Sequence, residues 1–324
     1  MTRIRSVRWA AWVLAAALIL SARPSLAADW PTRPVRMIVT LGAASGVDIG
    51  ARLFADKLSA LWKQPVVVEN RPGGDGILAI TSFLSAHDDH TLLVAPVASF
   101  SAHPYFHDPL PYDAKSLIPV ARISNTVVAV AVPESLNVNS LKELEALARA
   151  QPGKLNWTSA TGFTDFVFAG YLHTVGLKME KVPYKNPAGA ATDLAAGTIQ
   201  VYMPAYAIVR PQVQAGAVKV IAVTNHERFS GLPNIPTALE AGYPSLEFDG
   251  LVGIFGSPEM NAETRAKIAK DVKSAANDPV IVQRMTATGQ IVSPGDGAEF
   301  EKSIEKQKAQ VAAVAKLFGN KPVQ

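Results

Sequence analysis

The stretch "VTLGAASGVDIGARLFADKL", Val39–Leu58, decides the fold. A β-branched run ends near Thr40. Residues 42–46, Gly-Ala-Ala-Ser-Gly, then carry almost no side-chain bulk. Beyond them Ile49, Leu53, Phe54, Leu58, Leu61 and Trp62 return at helical spacing. Strand, small-residue turn and helix in this order mark an α/β chain. Such a turn lets backbone N–H groups approach a ligand closely. The following helix start adds unpaired N–H groups and a partly positive end, which suit a carboxylate. The pattern predicts a helix over 48–63, with Asp48 as its cap. An ordinary strand-to-helix turn fits the same residues.

Outward from there the alternation continues. "VRMIVTL" (35–41) and "PVVVEN" (65–70) read as strands, "RPGGDG" as a turn, "ILAITSFLSA" as a helix and "TLLVAPV" as a strand. "VVAVAVP" (127–133) is another strand. Ser140 and Glu143 stand at capping-box spacing before the next helix, which stops near Gly153. "LNWTSAT", "KVPY", "IQVYMP", "VKVIAVT" and "GLVGIFGSP" add strands, and two helices are expected near 262–276 and 298–317. Short apolar runs alternating with amphipathic helices predict largely parallel sheets.

The N-terminus reads as a secretory signal peptide. Arg3, Arg5 and Arg8 precede the apolar run 10–20, and "SLA" (25–27) predicts cleavage between Ala27 and Ala28. Removing residues 1–27 takes away four of the 31 basic residues and leaves 27 against 27 acidic ones. A near-neutral mature chain without a Lys/Arg block argues against nucleic acid. Cysteine is absent, so neither disulfides nor a lipid-modified cysteine hold an exported chain of this kind. The expected location is the periplasm.

Other patterns invite chemistry and give little. Gly74-Asp75-Gly76-Ile77-Leu78-Ala79 resembles a dinucleotide fingerprint, but no acid stands at ribose-binding distance on a second strand. "HDDH" (87–90) and "HPYFH" (103–107) contain metal-ligand types, yet adjacent turn residues converge poorly on one ion. No nucleophile elbow, H-E-x-x-H or Walker loop occurs. No enzyme, cofactor or metal is expected.

Several segments in order resemble the substrate-binding proteins of tripartite tricarboxylate transporters, the Bug (Bordetella uptake gene) family, of TctC type. They are "PVVVENRPGGDG", "LPYD" (110–113), "LNWTSATGFTDFVFAG", "VPYK" (182–185) and "LPNIPT" followed by "ALEAGYP". The likeness spans nearly all of the mature chain. The sequence departs from the family at Thr40-Leu41, at Ala44-Ser45, and at Phe163 and Asp165.

The resemblance implies a periplasmic binding protein of type II-like fold. Two α/β lobes are joined by two crossover strands, with a ligand cleft between them. Lobe one is expected from 28–130 and 250–324, lobe two from 131–249, with crossings near 126–133 and 247–255. The loop Gly42, Ala43, Ala44, Ser45, Gly46 and Asp48 then forms the main ligand cradle. Gly74 and Ser99 add to it from lobe one. Ser159, Ala160, Thr161, Gly162, Thr164, Tyr184 and Ala205 face it from lobe two. An inward Asp165 would repel a second carboxylate or attract an ammonium, and an inward Phe163 would wall a planar ligand. Capping by the same Ser, Thr and Asp residues is the alternative. The implied function is capture of a small organic acid by a monomer that delivers it to the transporter's membrane subunits. A sensory binding protein reporting to a membrane receptor, or an exported enzyme, fits the same pattern.

Overall fold

The computed structural model describes residues 30–319 except Thr161 and Lys185. Residues 1–27, expected as a signal peptide, lie outside the described residues. Among the described residues no helix is long and apolar enough to cross a membrane.

The chain builds two mixed sheets, each covered by helices on both faces. The first sheet contains β1 (Val35–Val39), β2 (Val66–Asn70), β3 (Thr91–Pro96), β4 (Ile118–Thr126), β10 (Gly250–Gly256) and β11 (Gln290–Asp296). Its order is β11-β4-β10-β3-β1-β2, with β1 parallel to β2 and β3, and with β10 antiparallel to β3 and β4. Successive side chains of a strand point to opposite faces. Met37 and Val39 therefore join Leu92, Val94, Val252 and Ile254 on one face. Helices α1 (Gly46–Trp62), α8 (Ala262–Ala275) and α9 (Pro279–Ala287) cover that face. Ile38, Leu93, Leu251 and Phe255 point to the other face, under α2 (Ile77–Leu84), α3 (Val97–Ala102) and α10 (Gly297–Leu317). Apolar residues on both faces explain why these strands read as continuous rather than alternating runs.

The second sheet contains β5 (Ala129–Pro133), β6 (Asn156–Ser159), β7 (Glu180–Lys181), β8 (Val201–Met203) and β9 (Val218–Val223) in the order β7-β6-β8-β5-β9. Val130, Trp157 and Met203 pack against α4 (Leu141–Ala150) and α5 (Gly162–Val175). Ala131, Tyr202 and Val220 pack against α6 (Pro187–Ala195) and α7 (Tyr206–Gln214).

The chain leaves the first sheet at Thr126, enters the second at Ala129, and returns between Val223 and Gly250. Both crossings are tied together. The buried Asn225 side chain accepts the Val128 N–H at 3.2 Å and donates to the Thr126 carbonyl at 3.0 Å. Thr224 N–H donates to Val128 at 2.9 Å, and Phe248 N–H donates to Thr224 at 2.9 Å. Gly250 lies so close to Thr126 that an added Cβ would stand 2.4 Å from its carbonyl oxygen.

Some elements differ from the reading of the sequence. Helix α1 opens at Gly46, two residues early, because Ser45 is the cap. "VASFSA" (97–102), directly after the run "TLLVAPV" that reads as a strand, is the helix α3, so the strand β3 stops at Pro96. Strand β11 and helix α9 were not anticipated. Helix α10 does not stay with the first sheet: Phe300 and Ile304 belong to its core, whereas Val311 belongs to the core of the second.

Candidate functional site

Between the two sheets lies a cavity of about 470 Å³. Its wall follows from the topology, because ligands of open α/β sheets bind where strands end and helices begin. Among the described residues, five helices start at this cavity. Ser45, Gly46 and Val47 belong to the start of α1, and Pro96, Ala98 and Ser99 to that of α3. Phe163 and Thr164 open α5, Pro187 opens α6, and Ala205, Ala207 and Ile208 open α7. First-turn N–H groups have no acceptor inside their own helix, and the helix dipole adds positive partial charge. The cavity therefore presents an electropositive backbone although its described residues include no Lys or Arg.

The α1 start is held by a polar network. Ser45 Oγ accepts the Asp48 N–H at 3.2 Å. Asp48 is buried and accepts from Ala44 N–H at 2.9 Å, Asn70 Nδ2 at 2.7 Å and Arg52 Nε at 3.2 Å. Asn70 Nδ2 also lies 3.0 Å from the Leu41 carbonyl. Asn70 thus ties the "ENRPG" turn to both ends of the cradle loop. Burial alone would raise the Asp48 carboxyl, but hydrogen bonds from Arg52, Asn70 and Ala44 outweigh it and hold the group below its ordinary value. Ala44 takes a left-handed φ of 63°, and its N–H is directed to Asp48 rather than to the cavity.

Of the residues expected from the sequence, Ala44, Ser45, Gly46, Ser99, Ala160, Thr164 and Ala205 come together in the wall. The others are placed elsewhere. Gly42 accepts the Ser45 N–H at 3.3 Å, and Ala43 is exposed. Asp48 supports the loop from outside the wall. Gly74 adjoins the wall, where its neighbour Asp75 takes part. Ser159 Oγ donates to Asp165 at 2.5 Å, and Asp165 also pairs with Lys181 at 2.6 Å, so Asp165 does not face the cavity. Gly162 packs under Phe106. Tyr184 Oη donates to Asp193 at 2.5 Å, and burial together with that bond pushes its pKa up to about 12. Thr161 lies outside the described residues, as does Lys185.

The sequence reading missed several wall residues. Gln290 is buried, and its amide meets the Ser124 and Thr126 hydroxyls at 3.0 and 3.2 Å. A Cβ at Gly46 would come within 2.7 Å of Gln290 Nε2, so glycine there lets β11 close against the cradle. Phe248 meets Phe163 edge-on, with ring centroids 5.0 Å apart, and the pair forms an aromatic wall. Gln290 carried one usable signal, a polar residue beginning the apolar run "QIV" just after a glycine.

The His-rich turns have structural partners. Asp88 accepts the His90 and Thr91 N–H groups, and His90 Nε2 accepts the Thr32 N–H at 3.1 Å. Among the described residues no group of three or more His, Cys, Asp or Glu is arranged to hold a metal ion. A larger groove of about 850 Å³ lies on the first lobe between α8 and α10. It is lined by long surface side chains, among them Lys115, Lys270, Lys273, Glu301 and Lys308. Flexible, mixed charges along helix flanks make a weaker ligand site than converging helix starts.

A family model described as "Tripartite tricarboxylate transporter family receptor", TctC, matches residues 50–319. A UPF0065 protein of Bordetella bronchiseptica is 28% identical over 307 residues, covering 94% of this chain and 91% of its own. Protein BugT of Bordetella pertussis is 26% identical over 277 residues, covering 83% and 84%. The solved structure of R. palustris Rpa4515 with adipate superposes with a TM-score of 0.76 at 26% identity, covering 91% of this chain and all of that one. Proteins of this kind bind solutes and are not enzymes. With two α/β lobes around one cavity and a family match over most of its length, the chain belongs to the TctC family of tripartite tricarboxylate transporter receptors.

Proposed function

We propose that the protein is an exported, periplasmic solute-binding protein that captures a small organic acid between its lobes. The observation that carries this reading is the convergence of five helix starts on one cavity whose described wall has no basic side chain. Neutral N–H and hydroxyl donors held in advance can replace a carboxylate's hydration shell without a charged clamp. The two sheets, each with its own core, support the two-lobe reading, and closure about the Thr126–Val128 and Thr224–Gly250 crossings would complete the site from both sides. Rpa4515, the relative solved with adipate, has an acid as its ligand. Family membership favours delivery, as a monomer, to the membrane subunits of a tripartite transporter.

Thermal-shift screening of the purified protein against carboxylates tests this. Saturating ligand at about 100 times its Kd adds about 2.7 kcal/mol of stability. A clear rise in Tm with at least one small acid, and its recovery intact after dissociation, is expected. No shift with any carboxylate, or chemical turnover of one, would overturn the reading.

A further inference from the structure

Asp75 is the one charged side chain in the cavity wall among the described residues. Its backbone is unusual. Asp75 has φ 53° and ψ 33°, between Gly74 at φ 56° and Gly76 at φ 95°. This left-handed conformation suits glycine best and is tolerated by Asp. A fourth glycine would fit the turn with less strain, yet the position carries a carboxylate.

The turn is anchored from behind. His103 is fully buried, with Nε2 3.0 Å from the Asp75 carbonyl oxygen and Nδ1 2.6 Å from the Tyr112 hydroxyl. A carbonyl only accepts, so Nε2 carries the proton, and Tyr112 donates its O–H to Nδ1. Burial, with the Asp75 charge nearby, pushes the Tyr112 pKa above its ordinary value, so the phenol stays a donor. Among the described residues no hydrogen bond is directed to the Asp75 carboxylate. Its Oδ2 lies 3.7 Å from His103 Nε2, beyond hydrogen-bond length. Among the described residues it has no Lys or Arg partner.

The cavity therefore offers positively polarised backbone, one negative side chain, and an otherwise largely apolar wall that includes Leu41, Val128, Phe163, Ile208 and Phe248. A dicarboxylate would bring its second negative charge into a small, partly desolvated space already holding one. A zwitterion meets both features with opposite charge. We propose that Asp75 selects ligands that carry an ammonium as well as a carboxylate, so that the site takes amino acids with an apolar or aromatic side chain. The inference rests on the reading of the cavity as a carboxylate site and deepens it.

The test uses matched ligand pairs that differ only by the α-ammonium: phenylalanine against 3-phenylpropionate, and leucine against 4-methylpentanoate. Adipate is the dicarboxylate probe. Calorimetry on the wild type is expected to favour the amino-acid member of a pair by about tenfold or more in Kd. Asp75→Asn should abolish that preference, keep the des-amino member, and improve adipate binding. Retained des-amino binding also reports that the variant's site is intact. Des-amino acids or adipate binding the wild type as well as amino acids would overturn the inference and leave the carboxylate site standing. So would a preference untouched by Asp75→Asn. Loss of every ligand in both Asp75→Asn and Asp75→Gly, with normal melting, would assign Asp75 to the shape of the turn and equally overturn it. Binding of no carboxylate by the wild type would instead remove the broader reading on which it rests.

Discussion

Asp48 accepts the Ala44 N–H at 2.9 Å, so the buried first-turn acid of α1 fixes the shape of the loop in front of that helix. The carboxylate is spent on the protein, and the cradle is organised before a ligand arrives. Preorganisation of this kind reduces the ordering that binding must otherwise supply.

The first prediction concerns pH. The Asp48 carboxyl is held below its ordinary value of 3.8 on folding. Its contribution to stability is complete above that ordinary value and is lost as the pH falls through the lower folded one. Asp48→Asn removes the contribution. The wild type should melt higher than the variant at neutral pH, and the gap should narrow as the pH is taken below about 4. A gap that stays constant through that window, measured by calorimetry, would contradict the assignment.

Asn70 links Leu41 and Asp48 across the loop. Asn70→Ala leaves both acceptors short of a donor and should destabilise the protein by about 1–3 kcal/mol. Ligand affinity should fall as well, because the loop that carries Ser45 and Gly46 loosens. Denaturant titration and calorimetry check both; a stable variant with unchanged affinity would separate the network from the site.

Much of this was legible in the sequence, and the reasons for the rest are physical. Strand–turn–helix units such as Val35–Trp62 announce themselves through period and small turn residues, so the α/β class follows. The cradle loop and the start of α5 could be placed because small or hydroxylated residues stand between a strand and a helix. Gln290 could not, since it reaches the cavity through the pairing of β11 with β4, more than a hundred residues apart, nor could Phe248, which stands just before β10 and meets the cavity through Phe163, distant in the chain. Asp165 looked like a ligand determinant only while Lys181 had no known position beside it. Asp75 reads from the sequence only as part of the "RPGGDG" turn, because nothing local tells which way a loop carboxylate faces.

At the crossings, Asn225→Ala should cost about 1–3 kcal/mol by removing partners from Val128 N–H and Thr126 carbonyl. The same change should alter the equilibrium between lobe arrangements. Small-angle scattering with and without ligand reads this; an unchanged profile alongside unchanged stability would show that Asn225 does not govern the crossing.

The aromatic wall has its own signature. Phe248 is buried against Phe163. Truncation to Ala should weaken ligands with an aromatic body by about tenfold or more, through lost contact area and ring packing. Short aliphatic acids should change much less. Equal losses for both ligand groups would place the defect in folding rather than in the wall, and the melting curve of Phe248→Ala distinguishes the two.

The central claim is met most directly by a crystal structure of the protein with whichever acid gives the largest thermal shift. The account predicts that acid in the interlobe cavity, its carboxylate oxygens within hydrogen-bond reach of N–H groups at the starts of α1 and α5. A ligand in the groove between α8 and α10, or one whose carboxylate faces away from both helix starts, would contradict it.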